Sequence, residues 1–187
     1  MWITACSCQA LLLIWGEDFR AARRLQEEAL RTNPSSAHVH AVLGEALNVM
    51  GRHDEALKEL QVAMRLSPKD MDMSFFLALE SEVHLALGDY EAAISAADRA
   101  LTFTPLAYQA HVAKIVSLHT LGRVKAARSA LEDMLHHVPG FNLRSLYERP
   151  ITKPVEAAIR AAGGGFTKDL PYQDGISIIL RRVGWQG

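Results

Sequence analysis

Eight histidines and two cysteines are the side chains of this 187-residue chain best able to hold a metal or move a proton. Their spacing argues against both. Cys6 and Cys8 lie two apart, so on a helix they point in different directions and cannot easily share a metal or close a bridge. A CxC without a matching Cys or His pair is a weak metal signal, and the two thiols read as small buried or half-buried groups. His38 and His40 are also two apart, whereas a helical zinc pair needs i, i+4. His40, His84 and His111 fall where packing side chains are expected. His136 and His137 close a predicted helix, where a partly positive ring favours the C-terminal dipole. A histidine-centred metal enzyme would need several of these rings to converge in one pocket.

Other catalytic patterns are missing. There is no Gly-rich phosphate loop, no Gly-x-Ser-x-Gly and no credible triad. Gly163, Gly164 and Gly165 follow a predicted helix instead of preceding one, so they do not cradle phosphate. The expectation is a non-enzyme with no catalytic residue, no cofactor and no metal. A formal charge of −1 and a pI near 6.7 give no global attraction for nucleic acid or anionic lipid. The opening MWITACSCQALLLIW is apolar for about 14 residues, short of the ~20 that span a bilayer. It also lacks the basic residues that open a signal peptide. A buried first helix in a cytoplasmic chain, with no membrane contact, is expected.

The elements that carry these side chains repeat. Pro34, Pro68, Pro105 and Pro139 are spaced 34, 37 and 34 residues apart. Between them recur Gly16, Ala22, Ala29; Gly51, Ala56, Ala63; Gly88, Ala93, Ala100; and Gly122, Ala127, Leu131. A period of about 34 residues is that of a helix–turn–helix solenoid. In residues 35–68, His40, Leu43, Gly44 and Leu47 lie at i, i+3, i+4 and i+7, one helical stripe. Gly51 breaks that helix, and Asp54 is expected to cap the next. In this second helix Ala56, Leu57, Leu60, Ala63 and Met64 form a stripe, which Ser67-Pro68 ends. Small residues mark close helix approach, at Gly44, Ala56, Ala93 and Ala127, and bulky leucines fill the gaps beside them. Charges at Arg20, Arg23 and Arg24 with Glu27 and Glu28 read as i, i+4 pairs on a solvated face.

This combination of period and residue size resembles the tetratricopeptide repeat, or TPR. The resemblance implies an all-α fold: a right-handed superhelix of about four repeats at 3–34, 35–68, 69–105 and 106–139. Residues 141–148, and 154–162 with the stripe Val155, Ala158, Ile159 and Ala162, are expected to cap its end within 140–162. Residues 163–187 then form a glycine joint and a tail. In the tail Ile176, Ile179, Leu180 and Val183 sit at helical spacing beside Arg181 and Arg182, as in a docking helix, although Ile-Ser-Ile-Ile-Leu also reads as a strand. Repeat three carries three extra residues within 69–73, which should lengthen the preceding loop. It places Glu80 where repeat two has Leu43, and repeat four has Lys114 there; these two charges are expected to pair.

The resemblance also implies a partner site. First helices of stacked pairs line the concave side, so residues pointing away from the packing stripe are candidate contacts. They are His38, Ala41, Glu45 and Asn48; Phe75, Ala78, Glu82 and Leu85; and Gln109, Val112, Val116 and His119. Their mixture of apolar and weakly acidic groups suits an extended peptide or a partner helix. TPR chaperone adaptors clamp a C-terminal carboxylate with Lys, Arg and Asn here, but no Lys or Arg occupies the matching positions. A narrower likeness, over residues 16–162, is to TPR regions attached to bacterial class III cyclases and winged-helix transcriptional regulators. It implies a signalling scaffold and carries over no activity. Self-association through the N-terminal helix (Trp2, Leu12 and Trp15) or the tail is a further expectation.

Overall fold

The computed structural model describes residues 19–68 and 72–138. The expectations for Cys6 and Cys8, the opening helix, the segments within 140–162 and the tail lie outside these residues. Among the described residues every regular element is a helix. These are α1 (Phe19–Thr32), α2 (Ala37–Val49), α3 (His53–Leu66), α4 (Met73–Leu87), α5 (Tyr90–Phe103), α6 (Tyr108–Thr120) and α7 (Val124–His137).

Local chemistry fixes the boundaries. The Ser36 hydroxyl accepts the Val39 N–H at 3.4 Å, and the Asp89 carboxylate accepts the Ala92 N–H at 3.2 Å, which caps α2 and α5. At the turns after α2, α4 and α6, Gly51, Gly88 and Gly122 hold φ of +76°, +78° and +75°. The amides that follow close on Leu47, His84 and Leu118 carbonyls at 2.9–3.0 Å, a left-handed helix stop that glycine alone adopts without strain. Asp54 does not cap α3. Arg52 stands at that cap, and Asp54 and Glu55 lie inside the first turn, where their charge favours the helix dipole.

Consecutive helices pack as antiparallel neighbours through the whole stack. In addition α2 packs on α4 and α4 on α6, whereas α3, α5 and α7 meet chiefly this first layer. A stack whose helices touch along one layer and spread along the other is a curved two-layer solenoid. The inner helices are buried on several faces; α2 buries Val39, Ala41 through Leu47 without a break. The outer helices are amphipathic, with buried stripes such as Ala56, Leu60 and Ala63 in α3 and Ala93, Ala97 and Ala100 in α5. Gly44 permits a close crossing of α2 and α3. A Cβ there would lie 3.1 Å from the Leu60 side chain and 3.2 Å from the Ala56 carbonyl oxygen.

The connection before α4 spans residues 67–72, against 33–36 before α2 and 104–107 before α6, so the insertion does lengthen that loop. Glu80 and Lys114 do not pair as expected. Glu80 meets Arg99 at 3.3 Å and Lys114 meets Asp98 at 2.7 Å. Both reach the outer layer, so α5 is gripped from α4 on one side and α6 on the other. The outer helix α5 packs against both inner helices and offers each charge an opposite partner, Arg99 for Glu80 and Asp98 for Lys114. Of the predicted Arg–Glu pairs on α1, Arg23 and Glu27 stand 3.5 Å apart. No helix among the described residues is long and apolar enough to cross a membrane.

Candidate functional site

The twelve candidate contacts form four rows across α2, α4 and α6. At the N-terminal end of the inner helices run His38, Phe75 and Gln109, all half-buried. The second row, Ala41, Ala78 and Val112, is 5% exposed or less. In the third, Glu45 and Val116 are buried while Glu82 is half-buried; in the fourth, Leu85 is buried while Asn48 and His119 are half-buried. The expectation of twelve open contacts therefore narrows to six accessible side chains, five at the two ends (His38, Phe75, Gln109, Asn48 and His119) and one carboxylate in the middle, Glu82. Core packing accounts for the burial of five of the others. Leu85, Val112 and Val116 join the Ile115–Leu131 cluster, and Ala41 and Ala78 join the cluster around Phe76 and Leu60.

The first row is the most organised. The His38 ring stacks on Phe75 with centroids 5.9 Å apart and planes at 28°. Asp72 Oδ2 stands 3.7 Å from His38 Nδ1. Phe75 in turn tilts against Phe76, whose side chain is fully buried, at 6.1 Å. A planar ring anchored on the core and bordered by a carboxylate can receive an apolar side chain next to a basic one. Asp72 escaped the sequence reading because it lies in the inserted loop, where periodicity gives no signal. At the opposite end Asn48 Oδ1 accepts from His53 Nδ1 at 2.8 Å, so this amide is committed to holding the α2–α3 turn. Burial lowers the proton affinity of His53, against an opposing effect of Asp54.

The remaining histidines are structural joints. His40 Nε2–H donates to the Pro34 carbonyl at 3.0 Å, and His111 Nε2–H donates to the Pro105 carbonyl at 2.9 Å. His111 is buried, and His40 is 12% exposed in its side chain. His137 stacks on His111 with centroids 6.4 Å apart and sits edge-on to His136 at 5.0 Å. Among the described residues no group of three His, Cys, Asp or Glu side chains could hold a metal ion. A surface cavity of about 490 Å³ lies on α7, lined by Val124, Lys125, Arg128, Ser129 and Glu132, and not on the inner helices.

Helical hairpins of this length, joined by left-handed glycine stops and stacked in two layers, define a helical-repeat protein. The sequence profile of the tetratricopeptide repeat family matches residues 9–70 and 79–140, and the chain belongs to that family. No curated protein matches it significantly. Several solved structures share the fold. PilF of Pseudomonas aeruginosa is 18% identical with a TM-score of 0.66, over 89% of this chain and 78% of that one. A MamA structure is 18% identical with a TM-score of 0.58, over 90% and 88% of the two chains. YrrB, described as a TPR protein with an unusual peptide-binding site, is 19% identical with a TM-score of 0.54, over 91% and 82%.

Proposed function

We propose that the chain is a non-catalytic protein-interaction scaffold that takes a peptide or partner helix along α2, α4 and α6. One observation carries this reading: three equivalent inner helices stand side by side, with His38, Phe75 and Gln109 aligned as a row at one end. The tetratricopeptide repeat family supports it. The row has an aromatic platform and a carboxylate border, and the groove positions include no Lys or Arg, so the favoured ligand is apolar with basic residues. A preformed groove loses little ordering entropy when it binds.

Affinity capture tests this with the full chain and a Phe75→Ala, Glu82→Gln, His119→Ala variant, compared at matched thermal stability. The variant should lose the partner that the unaltered chain retains. Equal capture by both would remove the inner face as the binding site.

A second reading places this scaffold in bacterial signalling, as a relative of TPR regions attached to cyclases or transcriptional regulators, acting in the cytoplasm. The lengthened connection before α4 and the sequence around residues 73–101 favour it. A cyclase or winged-helix domain encoded in frame beside this region would support it; an unrelated neighbouring gene would not.

A further inference from the structure

The edge of the stack opposite the glycine turns carries a surface that the groove does not use. The outer helices α1, α3, α5 and α7 are each 14 residues long and end on this edge, so their last turns are equivalent. Arg31 and Arg65 occupy the thirteenth position of α1 and α3. Leu66 and Phe103 occupy the fourteenth position of α3 and α5, where α1 has Thr32. None of the four last turns contains Asp or Glu.

The apolar part of the edge is open to water. Leu66 is 42% exposed, Phe103 58%, and Leu106, in the turn after Phe103, 64%. Thr104 shapes that turn: its Oγ1 accepts the Leu106 N–H and its carbonyl accepts the Ala107 N–H, both at 3.3 Å. Asn33 shapes the equivalent turn before α2, where its Oδ1 accepts the Ser35 N–H at 3.2 Å and its carbonyl the Ser36 N–H at 3.3 Å. The same backbone thus displays a serine in one repeat and a leucine in another, so the turn itself does not require an apolar side chain there.

The basic part is unpaired. Arg23, Arg52, Arg99 and Arg123 each meet a carboxylate, whereas the exposed Arg31 and Arg65 meet none among the described residues. The helix dipole favours a cation in a last turn, but it gives no reason for Leu66, Phe103 and Leu106 beside them. Exposed apolar side chains grouped next to arginine are the composition of a contact surface.

We propose that this edge docks an acidic amphipathic segment of a partner protein, with carboxylates on Arg31 and Arg65 and apolar side chains on Leu66, Phe103 and Leu106. Anionic lipid surfaces are read by clusters of about four to eight basic residues, and nucleic acid by a basic stripe on a domain of high pI. Two arginines in a chain of charge −1 supply neither, but they suffice for two carboxylates of a peptide. The groove along α2, α4 and α6 has the opposite charge preference, so the scaffold can hold two unlike partners at once.

The test is an amide NMR titration of the isotope-labelled full chain with a short synthetic amphipathic peptide of Leu, Ala and Glu, and with its counterpart in which every Glu is Lys. Shifts should concentrate at residues 31–35, 65–67 and 102–107, and the Lys peptide should bind about tenfold more weakly. Phe103→Thr with Leu106→Ser copies Thr32 and Ser35 of the first repeat, which keeps the fold. That variant, and separately Arg31→Glu with Arg65→Glu, should each weaken the Glu peptide by about tenfold with thermal unfolding unchanged. Shifts confined to the inner helices, undiminished affinity in both variants, or no binding of the Glu peptide would overturn the proposal. Binding to phosphatidylcholine–phosphatidylserine vesicles that depends on Arg31 and Arg65 would assign the edge to lipid instead. A dimer in sedimentation, abolished by Phe103→Thr with Leu106→Ser, would assign it to a second copy. The Phe75→Ala, Glu82→Gln, His119→Ala variant should bind the Glu peptide as the unaltered chain does, so the edge and the groove stand or fall separately.

Discussion

His40 Nδ1 stands 2.6 Å from Glu59 Oε2, a contact that joins α2 to α3 and that the equivalent histidine of the last described repeat, His111, lacks. Both rings fix the preceding turn through a proline carbonyl six residues back, at Pro34 and Pro105. Aligning α7 with α3 places Ala130 where α3 has Glu59. His111 Nδ1 is buried without a hydrogen-bond partner. One joint is therefore built for an imidazolium and the other for a neutral ring.

The two joints should respond to pH with opposite signs. The Glu59 hydrogen bond raises the proton affinity of His40, against an opposing effect of burial. Its stabilisation is fully present below the unfolded value of 6.5 and is lost as pH rises through the higher folded value. Glu59→Gln should lower stability by about 1–2 kcal/mol at pH 6, as expected for a partly exposed charge-assisted bond, and by less at pH 8.5. Urea unfolding at the two pH values measures this; an equal loss at both would disprove the charged joint.

Burial lowers the proton affinity of His111, so its contribution runs the other way. The unfolded chain takes up the proton first as pH falls through 6.5, and the fold loses stability there. His111→Leu, which copies Leu77 at the same place in repeat three, should flatten that acid-side loss. Thermal melts between pH 7 and pH 5 would show it, and an unchanged slope would contradict it.

Gly44→Ala sets helix propensity against packing. Alanine favours a helix interior by about 1 kcal/mol, but its Cβ would crowd the Ala56 carbonyl, which is backbone and cannot swing away. Overpacking of this kind costs about 1–3 kcal/mol, so a net loss of about 1 kcal/mol is expected. Gly51→Ala meets no neighbouring atom and should lose a similar amount purely from its positive φ. Chemical denaturation separates the two: adding Leu60→Ala should relieve part of the Gly44→Ala penalty and none of the other.

A double-mutant cycle on Lys114 and Asp98 should return a coupling of about 0.5 kcal/mol, typical of a half-exposed ion pair. The same cycle on Lys114 and Glu80 should return none. Coupling in the second cycle would restore the direct pair that the structure replaces.

The hairpins were legible because glycine stops and alanine crossings are local requirements that each repeat must meet again. Gly51, Gly88 and Gly122 share one backbone conformation, and Ala56, Ala93 and Ala127 are all fully buried. Ion pairing was not legible, since Glu80 and Lys114 each have several opposite charges within reach along the chain and only packing decides among them. The groove was read halfway. Register identified its rows, but the burial of Ala41 and Val116 is set by side chains of neighbouring helices packed against them, and Asp72 comes from an insertion outside any period.

Because each described hairpin packs chiefly on those beside it, the described stack has no single centre whose loss dissolves the whole. Heat or denaturant should peel it from an end, and a mutation in α7 should fray that terminus while α2 and α3 still hold. Evolution can likewise lengthen or shorten such a molecule by one unit, and the joint before α4, already two residues longer than its counterparts, marks a place where the row tolerates a splice.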